Sequence, residues 1–252
     1  MIAAIDDAGI MIGRSLRHAG RALDTLLIGV LLPVMLLLLF VYVFGGAIAP
    51  EGAYLTYVVP GIVLLCAGYG AAGTAVPVAS DMTTGAIDRF RSMPILRSAV
   101  LIGHVMASVV RNLFSTLLVL ATAFAIGFRP VAGPLEWLLA LAVLTLFILA
   151  MSWVAVCFGL IASSTESAST FGFVILFLPY LSSAFVPVET MPAVLRGFAQ
   201  HQPLTPVIET LRGLMIGTPV AAEATIALIW FGAILVLAYA LAGLLFKRRG
   251  ER

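Results

Sequence analysis

Charge is scarce in this sequence: Asp, Glu, Lys and Arg make up 10% of its 252 residues, whereas 62% are hydrophobic. A soluble domain carries roughly 25% charged residues because its surface must face water. The composition therefore excludes an ordinary water-soluble domain, and the mean hydropathy of +1.14 indicates that lipid is the main solvent. A net charge of only +2 gives no indication of nucleic-acid binding.

Lysine occurs only once, at Lys247, where Arg248 follows it. A phosphate-binding loop of the form G-x-x-x-x-G-K-[ST] needs a lysine followed by Ser or Thr, so the sequence contains no such loop. The chain therefore cannot be its own P-loop ATPase. Any ATP and Mg would be bound by a separate ATPase subunit, and we predict no cofactor bound by this chain.

Cysteine and histidine are also scarce. Cys66 and Cys157 both lie in apolar runs, where a free thiol behaves as a small hydrophobic group. The three histidines are widely separated and form no H-E-x-x-H motif. We expect no metal site, no catalytic residues and no enzyme activity. The letters of residues 68–73 match G-x-G-x-x-G, but this stretch lies inside an apolar run, where small residues favour close helix packing.

What the sequence does contain is a series of long apolar runs. A helix of about twenty mostly apolar residues spans a hydrocarbon core of about 30 Å. The runs lack the two-residue alternation of a lipid-facing barrel, so we predict an all-α membrane protein with six transmembrane helices. One transmembrane domain would cover residues 1–252, with spans at approximately 25–46, 54–80, 100–128, 135–162, 169–188 and 224–246.

Basic residues predict the orientation. They cluster before the first run (Arg14, Arg17, Arg21), after the second (Arg89, Arg91, Arg97) and after the sixth (Lys247, Arg248, Arg249, Arg252). Loops rich in Lys and Arg stay in the cytoplasm, so both termini are expected there. Abundant alanine and arginine with almost no lysine suggests a GC-rich bacterial genome, and hence the bacterial plasma membrane.

Two polar segments predict further helices that do not span. Residues 6–23 would form an N-terminal interfacial helix, with a frayed tail as the alternative. Residues 189–220 are too polar and too proline-rich to span. They predict two short re-entrant helices, at 191–196 and 206–212, each beginning near a proline.

The loop at residues 81–97 is the most informative segment. It predicts a short cytoplasmic helix that ends before Pro94, with Asp88 in its first turn and Arg89 and Arg91 facing the cytoplasm. As an alternative, its arginines only set the membrane topology. The loop resembles the coupling segment of type-2 ABC exporter permeases, most closely those of the daunorubicin-resistance type. The residues that carry this resemblance are Asp81, Gly85, Ile87, Asp88, Arg89, Arg91 and Pro94.

A second segment supports the resemblance, since residues 202–212 are similar to the re-entrant segment before the last helix of that family. The family implies a permease subunit of an ATP-driven exporter, paired with a second copy or a paralogue and with an ABC ATPase. The ATPase-coupling residues would be Asp81, Gly85, Asp88, Arg89, Arg91, Pro94 and Glu166.

Glu166 also has a plain structural interpretation. Residues 163–166 are predicted to form a capping box that opens the fifth span, with Glu166 bonded to the amide of Ser163. Either the cap alone accounts for its presence, or Glu166 serves both the cap and a contact with the ATPase, as the family resemblance implies.

The resemblance implies export of a hydrophobic or amphipathic small molecule, such as a drug or antibiotic. If the fifth and second spans line the path, the substrate would meet Tyr69, Phe171, Phe173, Phe177 and Tyr180. These aromatic residues could equally be ordinary packing or lipid-facing residues. Export of a polysaccharide or lipid is an alternative within the family. An ATP-independent secondary transporter is a second alternative, although the acidic residues all lie at the edges of the spans.

Arg111 lies inside the third apolar run. A charge at membrane depth marks either a functional site or a structural charge nearer the surface. The sequence leaves both interpretations open.

Overall fold

The computed structural model describes residues 23–49, 53–84 and 99–249. Every regular element within these ranges is a helix, so the predicted all-α architecture is confirmed for them. The predicted interfacial helix at 6–23 lies almost entirely outside the described residues, and the predicted coupling helix in the 81–97 loop lies outside them from residue 85 onward.

Ten α-helices make up most of the described chain. They are α1 (Leu23–Leu38), α2 (Gly45–Ile48), α3 (Tyr54–Ala72), α4 (Ala75–Thr83), α5 (Ala99–Ala125), α6 (Pro134–Ile161), α7 (Thr165–Phe177), α8 (Ala193–His201), α9 (Leu204–Ile216) and α10 (Ala221–Arg249). A π-helix at Leu39–Phe44 joins α1 to α2, and 3₁₀ turns lie at Leu178–Leu181 and Val188–Thr190.

Five helical segments in the described residues are long and apolar enough to cross a membrane: Gly29–Ile48, Tyr54–Thr83, Ala99–Ala125, Pro134–Ile161 and Ala221–Arg248. A shorter apolar segment covers Thr165–Leu181. The fifth run was predicted to continue to residue 188, but its helix ends at Leu181. The chain turns there because Ser182 bonds back to the carbonyl of Pro179 through both its backbone N–H and its hydroxyl.

Helix α3 lies at the centre of the bundle and packs against α1, α5, α6, α7 and α9. Most of its residues are buried. Two glycines show how closely the neighbouring chain approaches. A Cβ atom on Gly61 would lie 2.5 Å from the carbonyl oxygen of Ala184, and one on Gly70 would lie 1.8 Å from Oδ1 of Asn112. Glycine in the 68–73 stretch therefore serves helix packing, as its position in an apolar run predicted.

Pro33 and Pro77 each remove a backbone hydrogen bond within a spanning segment. Pro33 cannot donate to the carbonyl of Gly29 four residues earlier, and the Sγ of Cys66 on α3 lies 3.7 Å from that oxygen. Pro77, in the first turn of α4, likewise removes the bond to Gly73, and the second span breaks just before this turn, between α3 and α4. The span therefore consists of two helices joined at Gly73 and Thr74.

The chain between α7 and α9 folds back against α3. The hydroxyl of Tyr54 donates to the carbonyl of Phe185, and that of Tyr57 donates to the carbonyl of Ser183, both at 2.9 Å. Short helices do occur in the predicted re-entrant region, as α8 and α9. Helix α9 ends at Gly217, whose left-handed conformation (φ 78°) suits glycine.

Arg212 holds this region together from within α9. Its guanidinium donates to the carbonyls of Tyr57 at 3.2 Å and Ser183 at 2.7 Å, and it forms an ion pair with Glu209. It also lies 3.8 Å from the centre of the Tyr57 ring. With only 5% of its surface exposed, Arg212 is a buried charge whose hydrogen bonds join three segments of the chain.

Replacing Arg212 with glutamine should destabilise the protein by about 3 kcal/mol or more, because it leaves Glu209 without its counter-charge and removes the hydrogen bonds of the guanidinium to two backbone carbonyls. The two buried cysteines permit a direct measurement, since a thiol-reactive fluorophore labels them only as the protein unfolds on heating. We expect the midpoint of labelling to fall by several degrees.

Arg196→Gln is the matched control, because the exposed Arg196 donates only to the carbonyls of Glu189 and Met191. Equal midpoints for the Arg212 variant, the control and the wild type would show that the Arg212 network does not stabilise the fold.

Candidate functional site

One end of the bundle carries the junctions with the loop at 85–98. Asp81 lies near the end of α4, and its Oδ2 is 2.9 Å from Nε2 of His104 on α5. The side chains are only 16% and 10% exposed, respectively. The pair therefore ties together the two helices from which the loop departs and to which it returns.

The sequence analysis placed Asp81 in the coupling segment but did not identify His104 as its partner. No local signal could have done so, since the two residues are 23 positions apart and their contact depends on the packing of α4 beside α5. Most of the remaining predicted coupling residues, Gly85, Asp88, Arg89, Arg91 and Pro94, lie outside the described part of the chain. Just before them, the hydroxyl of Thr84 caps α4 by donating to the carbonyl of Ser80 at 2.8 Å.

Glu166 lies in the first turn of α7, and α7 packs against α4. The predicted capping box was wrong by one position. Ser164 is the N-cap, and its partner is Ser167, with reciprocal bonds of 3.2 Å between side chain and backbone. Glu166 is left exposed, and hydrogen bonds from its own backbone N–H and from the Ser164 hydroxyl lower the pKa of its carboxyl group.

A polar seam runs through the interior, where α5 meets α6 and α3. The hydroxyls of Ser108 and Ser152 are 2.9 Å apart, and the amide of Asn112 donates to the Ser108 carbonyl at 2.8 Å. All three side chains are almost completely buried. Hydrogen-bonded polar residues of this kind join helices in an apolar environment. Arg111, next to Asn112, makes a long hydrogen bond to the carbonyl of Gly70 at 3.5 Å.

Aromatic rings gather where the π-helix meets the 3₁₀ turn after α7. Phe185 stacks on Phe40 at 4.3 Å and on Tyr180 at 4.7 Å between ring centroids. Phe44 and Phe177 extend the cluster, each packing against one of its members. Sequence reasoning identified Tyr180 and Phe177 but not the rings of the first span, because their proximity depends on the fold.

The five predicted path residues do not share one environment. Phe171 is buried and stacks on Phe158 of α6 at 4.2 Å, which is a packing role. Phe173 and Phe177 are 61% and 64% exposed on the outer side of α7. Tyr69 is partly exposed on α3, on the side that approaches α7 near Gly172.

Several long apolar helices, a core of small residues and buried polar seams together define a multi-pass helical membrane protein. In the described ranges, no group of three or more His, Cys, Asp or Glu side chains is placed to hold a metal ion.

Comparison with known proteins gives the family. The ABC-2 type transporter family matches residues 7–216. The chain is 31% identical over 191 residues to the daunorubicin resistance ABC transporter permease protein DrrB1 of Streptomyces coeruleorubidus, covering 75% of this chain and 68% of that protein. It is 25% identical over 226 residues to the probable doxorubicin resistance ABC transporter permease protein DrrC of Mycobacterium tuberculosis, covering 89% and 82%. The chain belongs to the ABC-2 type transporter family, and the resemblance identified from its loops is confirmed.

Replacing Gly70 with alanine should disrupt the polar seam, because the new Cβ would overlap the side chain of Asn112. We expect a loss of about 1–3 kcal/mol of stability, as for other overpacked sites. Asn112→Ala in the same chain should recover part of that loss by making room, which a double-mutant cycle measures.

Gly232→Ala is the matched control, since a Cβ there meets no atom within 4 Å and alanine favours a helix. If Gly70→Ala and Gly232→Ala had the same thermal stability, the close approach of α3 and α5 would not constrain the fold.

Proposed function

We propose that this chain is the membrane permease subunit of an ATP-driven exporter, which works with a separate ABC ATPase that binds ATP and Mg. The observation that carries the proposal is the family match over residues 7–216. The absence of a P-loop from the sequence also supports a separate ATPase subunit, because ATP must then be hydrolysed by a partner. The chain itself acts as a transport subunit and not as an enzyme.

The proposed topology has six spans in one domain over residues 1–252. Thr165–Leu181, with 17 residues, is short for a complete crossing. The chain that folds back after it can fill the remaining thickness of the hydrocarbon core. An even number of spans places both termini on the same side, and the basic clusters favour the cytoplasm of a bacterium. Helices α8 and α9 would then lie at the outer leaflet as re-entrant helices.

Two permease chains are proposed to form the translocation path, either as a pair of copies or as a copy with a paralogue. Both α1 and α10 present apolar surface outward: Leu31 and Met35 are 59% and 57% exposed, and Ile229 and Leu237 are 67% and 69% exposed. Lipid covers part of this surface, and a second chain can cover the rest.

Coupling to the ATPase is assigned to Asp81, Gly85, Asp88, Arg89, Arg91, Pro94 and Glu166. The Asp81–His104 pair supports this assignment, since it joins the two helices at the base of the loop. The break at Gly73 and Thr74 lies at the other end of α4 from the loop, and it divides α4 from the central α3. Force applied to the loop would therefore move α4 as a lever, with the break as its hinge.

The proposed substrate is an amphipathic drug or antibiotic. The names of the two relatives refer to resistance to daunorubicin and doxorubicin, which supports this class. Of the proposed path residues, Phe173 and Phe177 offer exposed aromatic surface, Tyr69 and Tyr180 are partly exposed, and Phe171 is engaged with α6.

The first test combines purification and transport. The tagged chain should purify from its native membranes with a stoichiometric protein that contains a P-loop, and together they should export daunorubicin from vesicles in a vanadate-sensitive manner. Transport that persists without ATP and follows an imposed pH gradient would refute the proposal and indicate a secondary transporter.

The Asp81–His104 pair predicts a specific coupling defect. Asp81→Asn and His104→Gln should each lower the amount of drug transported per ATP hydrolysed, because each leaves α4 and α5 less firmly joined. The double variant should be little worse than the more severe single variant, with a coupling energy of about 1 kcal/mol.

His201→Gln is the matched control, because His201 is exposed and bonds only within α8. Additive effects of the two single variants, or an equal defect in the control, would contradict a role for the pair in coupling.

A further inference from the structure

Arg111 lies in the middle of the membrane-spanning helix α5, as the thirteenth of its 27 residues. Its one hydrogen bond to a described residue is the 3.5 Å contact with the carbonyl of Gly70, at the limit of such a bond. A guanidinium has five N–H donors. Within the described part of the chain, no carboxylate lies within 4 Å of it, so most of its hydrogen-bonding capacity is unused.

The other arginines with described hydrogen bonds each have at least two acceptors in the protein. Arg212 has two carbonyls, a carboxylate and an aromatic ring. Arg129 donates to the carbonyls of Phe124 and Phe128, both at 2.8 Å. Arg111 differs from them because, among the described residues, it has only the long contact with the carbonyl of Gly70 and no carboxylate beside it. A cation within a membrane-spanning helix pairs with an anion or with backbone carbonyls, and the one carbonyl described here is at the limit of a hydrogen bond.

The surroundings of Arg111 have two distinct parts along one face of α5. His104 lies two turns earlier on this face, roughly 10 Å toward the loop end. Phe114 and Leu118 follow one and two turns later, and they are 53% and 38% exposed. Long side chains on a helix lean toward its N-terminus, which places the guanidinium on the His104 side of this apolar surface.

We propose that Arg111 binds the anionic head of an amphiphile, a phosphate or a carboxylate, whose hydrocarbon chain lies along Phe114 and Leu118. A charged head beside an apolar surface matches the layout of this face, and a guanidinium pairs with both anions through two parallel hydrogen bonds. The anion comes either from a membrane lipid or from a transported amphiphile. The inference does not depend on coupling to ATP, because it concerns binding alone.

The neighbouring residue leaves the site free for a ligand. Asn112 points into the bundle, where it bonds to Ser108, and so does not compete for the guanidinium. Arg111 itself is partly exposed at the surface of the bundle, so a ligand can reach it from the membrane.

The test measures binding by the purified full-length protein in phosphatidylcholine nanodiscs. Monododecyl phosphate, dodecylphosphocholine and dodecanol compete for binding with a fluorescent alkyl phosphate. The wild type should bind monododecyl phosphate about tenfold more tightly than the other two ligands, because only this ligand brings an unpaired negative charge. Arg111→Gln should reduce that ratio below about threefold, and Arg111→Lys should keep most of it.

Arg129→Gln is the control variant and should keep the wild-type ratio, since Arg129 is already bonded to its own chain. Equal binding of the three ligands by the wild type would overturn the proposal even if no variant could be purified. A ratio unchanged in Arg111→Gln would also overturn it.

Two further measurements identify the source of the anion. If phosphatidylglycerol in the nanodisc displaces the fluorescent ligand from the wild type but not from Arg111→Gln, the head group of a lipid occupies the site. If only single-chain anions displace it, a transported amphiphile does.

Asp24 belongs to α1, which packs against α5, so an ion pair between Asp24 and Arg111 is the internal alternative to a bound anion. The side chain of Asp24 lies outside the described residues. An anion preference that is absent from the wild type and gained in Asp24→Asn would show an internal ion pair and overturn the proposal.

Discussion

The burial of α3 on all sides is the constraint on which the rest of the structure depends. In a membrane, helices gain little from hydrophobic association, so they must fit closely and satisfy their polar groups with one another. Gly61 and Gly70 allow this fit, because in each case an atom of another segment occupies the place of the missing side chain. The polar seam on one side of α3 and the Arg212 network near its start both depend on that proximity.

The two ends of the central span are built differently. Near Tyr57, the chain is held by Arg212 through several hydrogen bonds, which join α3, α9 and the segment after α7. At Gly73 and Thr74 the helix is interrupted, because Pro77 removes a backbone bond. The span therefore has one end fixed by hydrogen bonds to other segments and one end where the helix is broken.

The candidate site was predicted unevenly from sequence. The loop motif around Asp81 was enough to identify the family, since residue types at fixed spacing are a local property. Its partner His104 was missed, the capping box belonged to Ser164 and Ser167, and Phe171 proved to pack against α6. Each of these depends on which face of a helix meets a neighbour. In an almost wholly apolar helix, hydrophobicity does not distinguish the faces.

The sequence by itself determined that the chain is a helical membrane protein without a P-loop, because segment length, apolar composition and motif spacing are read directly along the chain. Only the tertiary structure decided how its polar residues are paired. Arg212 and Tyr57, whose carbonyl it bonds, are 155 positions apart, and nothing in either local sequence refers to the other. Among the described residues, helix packing brings several acceptors to the guanidinium of Arg212, whereas it brings Arg111 only the distant carbonyl of Gly70, at the edge of an apolar surface.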